Sequence, residues 1–256
     1  MELAIQTTSL SRSFNSVRAV SGVNLQVERG TFYGFLGPNG AGKSTTIKML
    51  TGLLAPSAGA IRVLGMDPQD AQQSLRMKSQ IGVVPEDLAL FDNLTAREHL
   101  TFIGRMHLIE KSVLEGRIEE LLSIMTLDDE EEKLTLEFSH GMKKKLSLAA
   151  ALLPDPDLLF LDEPFEGVDA IASRTIRNML AKFVERGSTV FLTSHILEIV
   201  ERLCTHVGII VKGELVEQTT LQALGTGGSL EARFLEVTGN DAGEDQQLSW
   251  FEGTNS

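Results

Sequence analysis

The spacing of hydrophobic and polar residues changes rhythm several times along this chain. Leu3 and Ile5, and later Val23, Leu25 and Val27, alternate with polar residues. That two-residue period belongs to half-buried antiparallel strands. Residues 31–36 are largely apolar and run straight into a glycine-rich turn, which predicts a buried strand. A helix is predicted over 43–54, stopped near Pro56. Strand, glycine turn and helix in succession open an α/β nucleotide-binding unit.

From about Leu88 to Leu153 the strand rhythm disappears and helices take over. Thr95 and Glu98 form a capping box at the head of one. A second helix is predicted over 112–125. A third begins at Ser139 and stops at Pro154, with Met142, Leu146, Ala149 or Ala150, and Leu153 as its apolar stripe. The α/β pattern then resumes with a buried strand over 158–161, a helix over 173–186 closed by Gly187, a strand over 189–193 and a helix over 196–203. A hairpin follows, 207–211 and 214–216 joined by Lys212-Gly213.

The expected organisation is therefore an α/β fold with an inserted helical unit. Residues 1–87 hold an antiparallel β subdomain and the first part of the core, 88–153 the helical subdomain, and 154–220 the rest of the core. Residues 221–256 are rich in Gly, Asp and Glu and are expected to be loosely packed, or disordered at their end.

Composition narrows the classes. At 256 residues and 42% hydrophobic, the chain can bury a core without covalent staples. A single cysteine, Cys204, allows no internal disulfide and suits a reducing compartment, where it reads as a small buried residue. The N-terminal segment lacks the apolar stretch of a signal peptide, and no run approaches the roughly 18 apolar residues of a membrane span. A soluble protein is expected. The net charge of −12 disfavours nucleic acid as a partner. The only basic cluster is Lys143-Lys144-Lys145, and the acidic run 128–132 reads as a solvated loop.

Three segments carry chemistry. Gly37-Pro38-Asn39-Gly40-Ala41-Gly42-Lys43-Ser44-Thr45 matches G-x-x-x-x-G-K-[ST]. Its glycines let successive backbone N–H groups turn onto a phosphate. Lys43 would reach the β- and γ-phosphates, Ser44 would ligate Mg²⁺, and the following helix would point its positive end at the same anion. The apolar strand 158–161 ends in Asp162-Glu163. Asp162 would hold Mg²⁺, commonly through water, and Glu163 would act as general base on the attacking water. Thr193-Ser194-His195 follows another buried strand, and His195 could donate a hydrogen bond to the γ-phosphate.

Together with Phe138-Ser139-His140-Gly141-Met142, these segments resemble the ABC ATPases over 3–216. The S-x-G-M form resembles the ABC-2 branch that serves exporters with separate permeases. The resemblance implies a phosphate-loop (RecA-like) core and an ATPase that binds ATP and Mg²⁺. It implies a head-to-tail pair of ATPase subunits, in which Ser139 and Gly141 of one chain face the ATP on the phosphate loop of the other. It also implies a membrane permease as a separate chain, and hence a place on the cytoplasmic side of the membrane. Glu86 falls where the family usually has a glutamine near Mg²⁺ and the lytic water. Phe14 falls where an aromatic stacks on adenine, its other reading being a strand-end core residue. Asp169, in Gly167-Val168-Asp169, matches the loop that crosses the dimer. The absence of an N/T-K-x-D motif favours ATP over GTP. A non-transport ABC ATPase acting on ribosomes or DNA is the alternative function.

Overall fold

The computed structural model describes residues 2–130, 132–225 and 229–239. Among these, one sheet is antiparallel and built on a long strand, β1 (Leu3–Phe14). It pairs with β2 (Val17–Val23), β3 (Gln26–Glu28) and β5 (Ala58–Val63). The second sheet contains β4 (Phe32–Leu36), β6 (Ile81–Val84), β7 (Leu158–Asp162), β8 (Thr189–Ser194), β9 (His206–Val211) and β10 (Glu214–Thr220). Its order is β10-β9-β4-β8-β7-β6, parallel throughout except for the β9–β10 hairpin at one edge.

The parallel strands of this second sheet are buried on both faces, which explains their nearly continuous apolar runs, whereas the edge strand β10 is half exposed. Alternate residues serve two cores. Leu158, Phe160 and Phe191 pack with the antiparallel sheet and with α1 (Lys43–Leu50). Leu159, Leu161, Val190 and Leu192 face the helical side. That side is built from α3 (Ala96–Met106), α4 (Lys111–Ile124), α5 (His140–Leu152), α6 (Ala170–Glu185) and α7 (Leu197–Leu203). The capping box at Thr95 is present in full, Thr95 Oγ1 accepting from Glu98 N–H and Glu98 Oε2 from Thr95 N–H.

Several expectations differ. The helix after the glycine turn ends at Leu50, not 54, with Thr51 as its cap. The helix expected over 173–186 starts earlier, at Ala170, because the Asp169 carboxylate caps it by accepting from Ile171 and Ala172 N–H. Strand β5 and helix α2 (Ala71–Lys78) lie in a stretch where the sequence pattern predicted no element.

The start of the C-terminal segment is not loose. Residues Leu221–Gly225 (α8) and Leu230–Thr238 (α9) are helical. Leu230 is 2% exposed, Phe234 and Val237 pack on the helical-side core, and Arg233 pairs with Glu217. The expected disordered end, 240–256, lies outside the described residues. Leu230→Ala is expected to cost about 2–4 kcal/mol by leaving a cavity. Calorimetry should then show a midpoint several degrees lower.

Candidate active site

The order of the parallel strands assembles the site. β8 lies between β4 and β7, and β6 lies beyond β7. The C-terminal ends of these four strands therefore stand side by side, with the glycine loop after β4, His195 after β8, Asp162-Glu163 at the end of β7 and Glu86 after β6. In open parallel sheets this edge is where ligands bind.

A cleft of about 270 Å³ opens there, lined by Asn39, Gly40 and the stretch Gly42 to Thr45, by Glu86, Glu163 and His195, and by two residues the sequence reading missed, Ala19 and Glu166. Gly42 caps α1 with φ 107°, a left-handed conformation. A Cβ there would also meet the Ala19 carbonyl at 2.5 Å, so only glycine fits. The antiparallel sheet thus holds the loop down from one side.

Lys43 lies at the bottom of the cleft. Its Nζ donates to Gly37 O at 2.8 Å and Pro38 O at 3.4 Å, and stands 3.7 Å from Glu163 Oε1. Glu163 is buried, and its Oε1 has no hydrogen bond. Its Oε2 accepts from His195, at 3.0 Å from Nδ1 and 3.4 Å from the main-chain N–H. A carboxylate can only accept, so Nδ1 carries the proton of this pair. Nε2 can then donate to a further acceptor only from the cationic ring.

Asp162 is buried beside Glu163 and accepts from Thr193 Oγ1. Burial pushes its carboxyl above the usual carboxylate range. The hydrogen bond from Thr193 pulls the other way, and the charges of Glu86 and Glu163 add to the rise. Ser44 Oγ donates to Glu86 Oε2 at 3.1 Å. Ser44, Asp162 and Glu86 thus form a set of hard oxygen donors. Among the described residues no cluster of three His, Cys, Asp or Glu makes a self-sufficient metal cage. A hydroxyl and one or two carboxylates are the share a protein gives Mg²⁺ when phosphates and waters complete the shell, so the residues fit that ion.

Three candidates lie elsewhere. Ser139 and Gly141, at the exposed start of α5, do not line the cleft of their own chain. Phe14 does not line it either. It is 43% exposed at the end of β1, with the Arg12 guanidinium 4.6 Å from its ring centre, so it is not a core residue.

This fold and cleft define a phosphate-loop nucleoside triphosphatase with a helical insert. The model of the ABC transporter family matches residues 20–166. The chain is 42% identical over 220 residues to the bacitracin transport ATP-binding protein BcrA of Bacillus licheniformis, covering 85% of this chain and 70% of that one. It is 36% identical over 239 residues to the daunorubicin/doxorubicin resistance ATP-binding protein DrrA of Streptomyces peucetius, covering 93% and 71%. A solved ATP-binding subunit of an ABC transporter superposes with a TM-score of 0.85 at 30% identity, over 92% of this chain and 100% of that one. The chain belongs to the ABC transporter family. It is the subunit that binds and hydrolyses ATP to energise transport, and a role on ribosomes or DNA is not favoured. No helix among the described residues is long and apolar enough to cross a membrane.

Proposed function

We propose that this chain powers an exporter, working as a head-to-tail pair of copies on the cytoplasmic face of a separate membrane permease. The observation that carries the catalytic part is the convergence of Lys43, Glu163 and His195 within one cleft. In this reading the main-chain N–H groups of the loop from Asn39 to Thr45 and the Lys43 ammonium hold the β- and γ-phosphates. Glu163, with one oxygen free of hydrogen bonds, takes a proton from the attacking water. His195 holds the other oxygen and thereby orients the carboxylate. Ser44 and Asp162 hold Mg²⁺, with Glu86 beside them. When bound, Mg²⁺ neutralises charge on the β- and γ-phosphate oxygens. Phe14, an exposed ring at the end of β1, stacks on adenine.

Residues the single chain leaves outward support the pairing. Ser139 caps a helix, with Gly141 in its first turn, whose N-terminal N–H groups suit a phosphate, yet both residues miss their own cleft. A second copy supplies that phosphate. Ile171, 82% exposed beside Asp169, is covered in the same contact. The permease docks in a groove of about 390 Å³ lined by Val83, Pro85, Leu90, Phe91, Ile103 and Ala150. Val83 and Pro85 lead directly to Glu86, so docking there is read at the cleft. Export is drawn from relatives named for drug resistance and for Nod factor export.

Glu86→Gln tests the least familiar part. Glutamine keeps an oxygen that accepts from Ser44, so ATPase activity and its Mg²⁺ dependence should stay within a few-fold of the original. Mg²⁺ titrations of the rate, with and without the permease, check this. A loss of roughly a hundredfold that excess Mg²⁺ repairs would instead make Glu86 a direct metal ligand.

A further inference from the structure

The run Lys143-Lys144-Lys145 has no role in the reading above. On a chain of net charge −12 it reads as a small basic patch. The structure separates the three. Consecutive helical residues point about 100° apart. Lys143 lies near the surface, 3.7 Å from Asp92. Lys144 turns inward and is 3% exposed. A buried ammonium is costly unless its donors are used. Its Nζ donates to the main-chain carbonyl of Glu163 and stands 4.0 Å from the Glu166 carboxylate. Burial pulls the Lys144 pKa down, and the carboxylates of Glu166, Glu163, Glu86 and Asp162 oppose that fall.

Glu163 needs such a contact. Its φ is 48°, in the left-handed region that a residue with a Cβ disfavours. Such a conformation persists only where the surroundings over-determine it. Its N–H donates to Thr193, at 3.2 Å from Oγ1 and 3.3 Å from the carbonyl, which fixes one side of the turn to β8. On the other side its carbonyl accepts from Lys144, with a longer bond of 3.4 Å from Glu166 N–H. His140 lies one helical turn before Lys144 on the same face of α5. It touches the same loop. A Cβ on Gly167, where φ is 71°, would come within 2.9 Å of the His140 ring. A Cβ on Gly141 would come within 3.0 Å of the Gly167 carbonyl. The start of α5 and the loop after Glu163 thus approach each other closely at two points, each leaving no room for a side chain.

We propose that Lys144 is a positioning residue for hydrolysis: its ammonium holds the Glu163 carbonyl, fixes the turn that aims the Glu163 carboxylate, and ties it to the end of α5 that carries Ser139 and Gly141. Contact made at Ser139 by a second copy is then felt by the base of the same chain through one hydrogen bond. The inference rests on Glu163 being that base.

Lys144→Met keeps the volume and removes every donor. Lys144→Gln restores an N–H donor without the charge. Single-turnover hydrolysis of bound ATP, steady-state kcat and KM, nucleotide affinity and melting temperature are measured on the purified full-length chain. Each variant is made alone and combined with Glu163→Gln. Lys144→Met should lower kcat by about 10- to 100-fold, the scale of a misplacement near 1 Å. KM and nucleotide affinity should stay close to the original, and Lys144→Gln should recover much of the loss. In the Glu163→Gln background Lys144→Met should add almost nothing. Original kcat in Lys144→Met overturns the inference. So does a joint loss of affinity and melting temperature that Gln does not repair, which marks a purely structural lysine. A Lys144→Met loss that persists in full on top of Glu163→Gln overturns it as well. Normal turnover in Glu163→Gln alone removes the base itself, and is recognised separately from these.

Discussion

Glu163→Gln is expected to lower ATP turnover by roughly 10²–10⁴-fold, the contribution of a positioned general base. Binding should survive. Glutamine has the same length, and its amide oxygen can still accept from the His195 N–H groups that hold Oε2. What it lacks is an oxygen able to take up the proton of the attacking water. Lys43 also loses the charge 3.7 Å away, which leaves its ammonium more available to phosphate. With binding retained and cleavage blocked, the ATP-bound pair should accumulate, and size-exclusion chromatography with Mg-ATP should show it. Lys43→Ala should behave differently. It removes the cleft's cation, so nucleotide affinity and turnover fall together. Fluorescence titration of nucleotide beside single-turnover hydrolysis separates the two variants. Glu163→Gln with turnover near the original would remove the assignment of the base.

The parts of this site legible in the sequence share a physical cause. Strands buried on both faces give unbroken apolar runs, and β4, β7 and β8 are of that kind. Each ends abruptly in polar residues, so their ends, and the chemistry standing there, could be read directly. The less visible elements bury little. In α2 only Met77 is buried, and the helix is held at its start by the Asp70 carboxylate, which accepts from Gln72 and Gln73 N–H. Strand β5 buries only Ile61 and Val63 of its six residues. The C-terminal helix α9 lay hidden because one buried leucine, Leu230, sits between glycines and acids that dominate the local composition. Lys144 was hidden by its neighbours: a run of identical charges does not disclose which of them the helix turns inward. Ala19 and Glu166 line the cleft without any motif, and only the fold brings them there.

Ser139→Arg should abolish hydrolysis while the single chain still binds nucleotide. Ser139 is exposed and caps α5, its Oγ accepting from Met142 N–H at 3.2 Å. Phe138, buried just before it, fixes the direction in which that cap faces. Arginine costs the cap, about 1 kcal/mol, and sets a cation at the positive end of a helix. A small drop in melting temperature is therefore expected, and Ser139→Ala, which loses the cap alone, measures that share. The larger effect is geometric. In the proposed pair the guanidinium fills the space through which a second copy brings its γ-phosphate, so that one site cannot close and a pair with both sites altered should lose roughly 10²–10³-fold in turnover, as when a transition-state donor is lost. Titration of the isolated chain should give the original nucleotide affinity, because Lys43 and the loop from Gly37 are untouched. Mixing is the sharper measurement. A pair formed from a Ser139→Arg chain and a Lys43→Ala chain holds one site with an intact Lys43 and an intact Ser139, contributed by different copies. Two inactive preparations should therefore regain hydrolysis when combined. If Ser139 served the cleft of its own chain, the mixture would stay inactive and the single Ser139→Arg chain would bind nucleotide poorly.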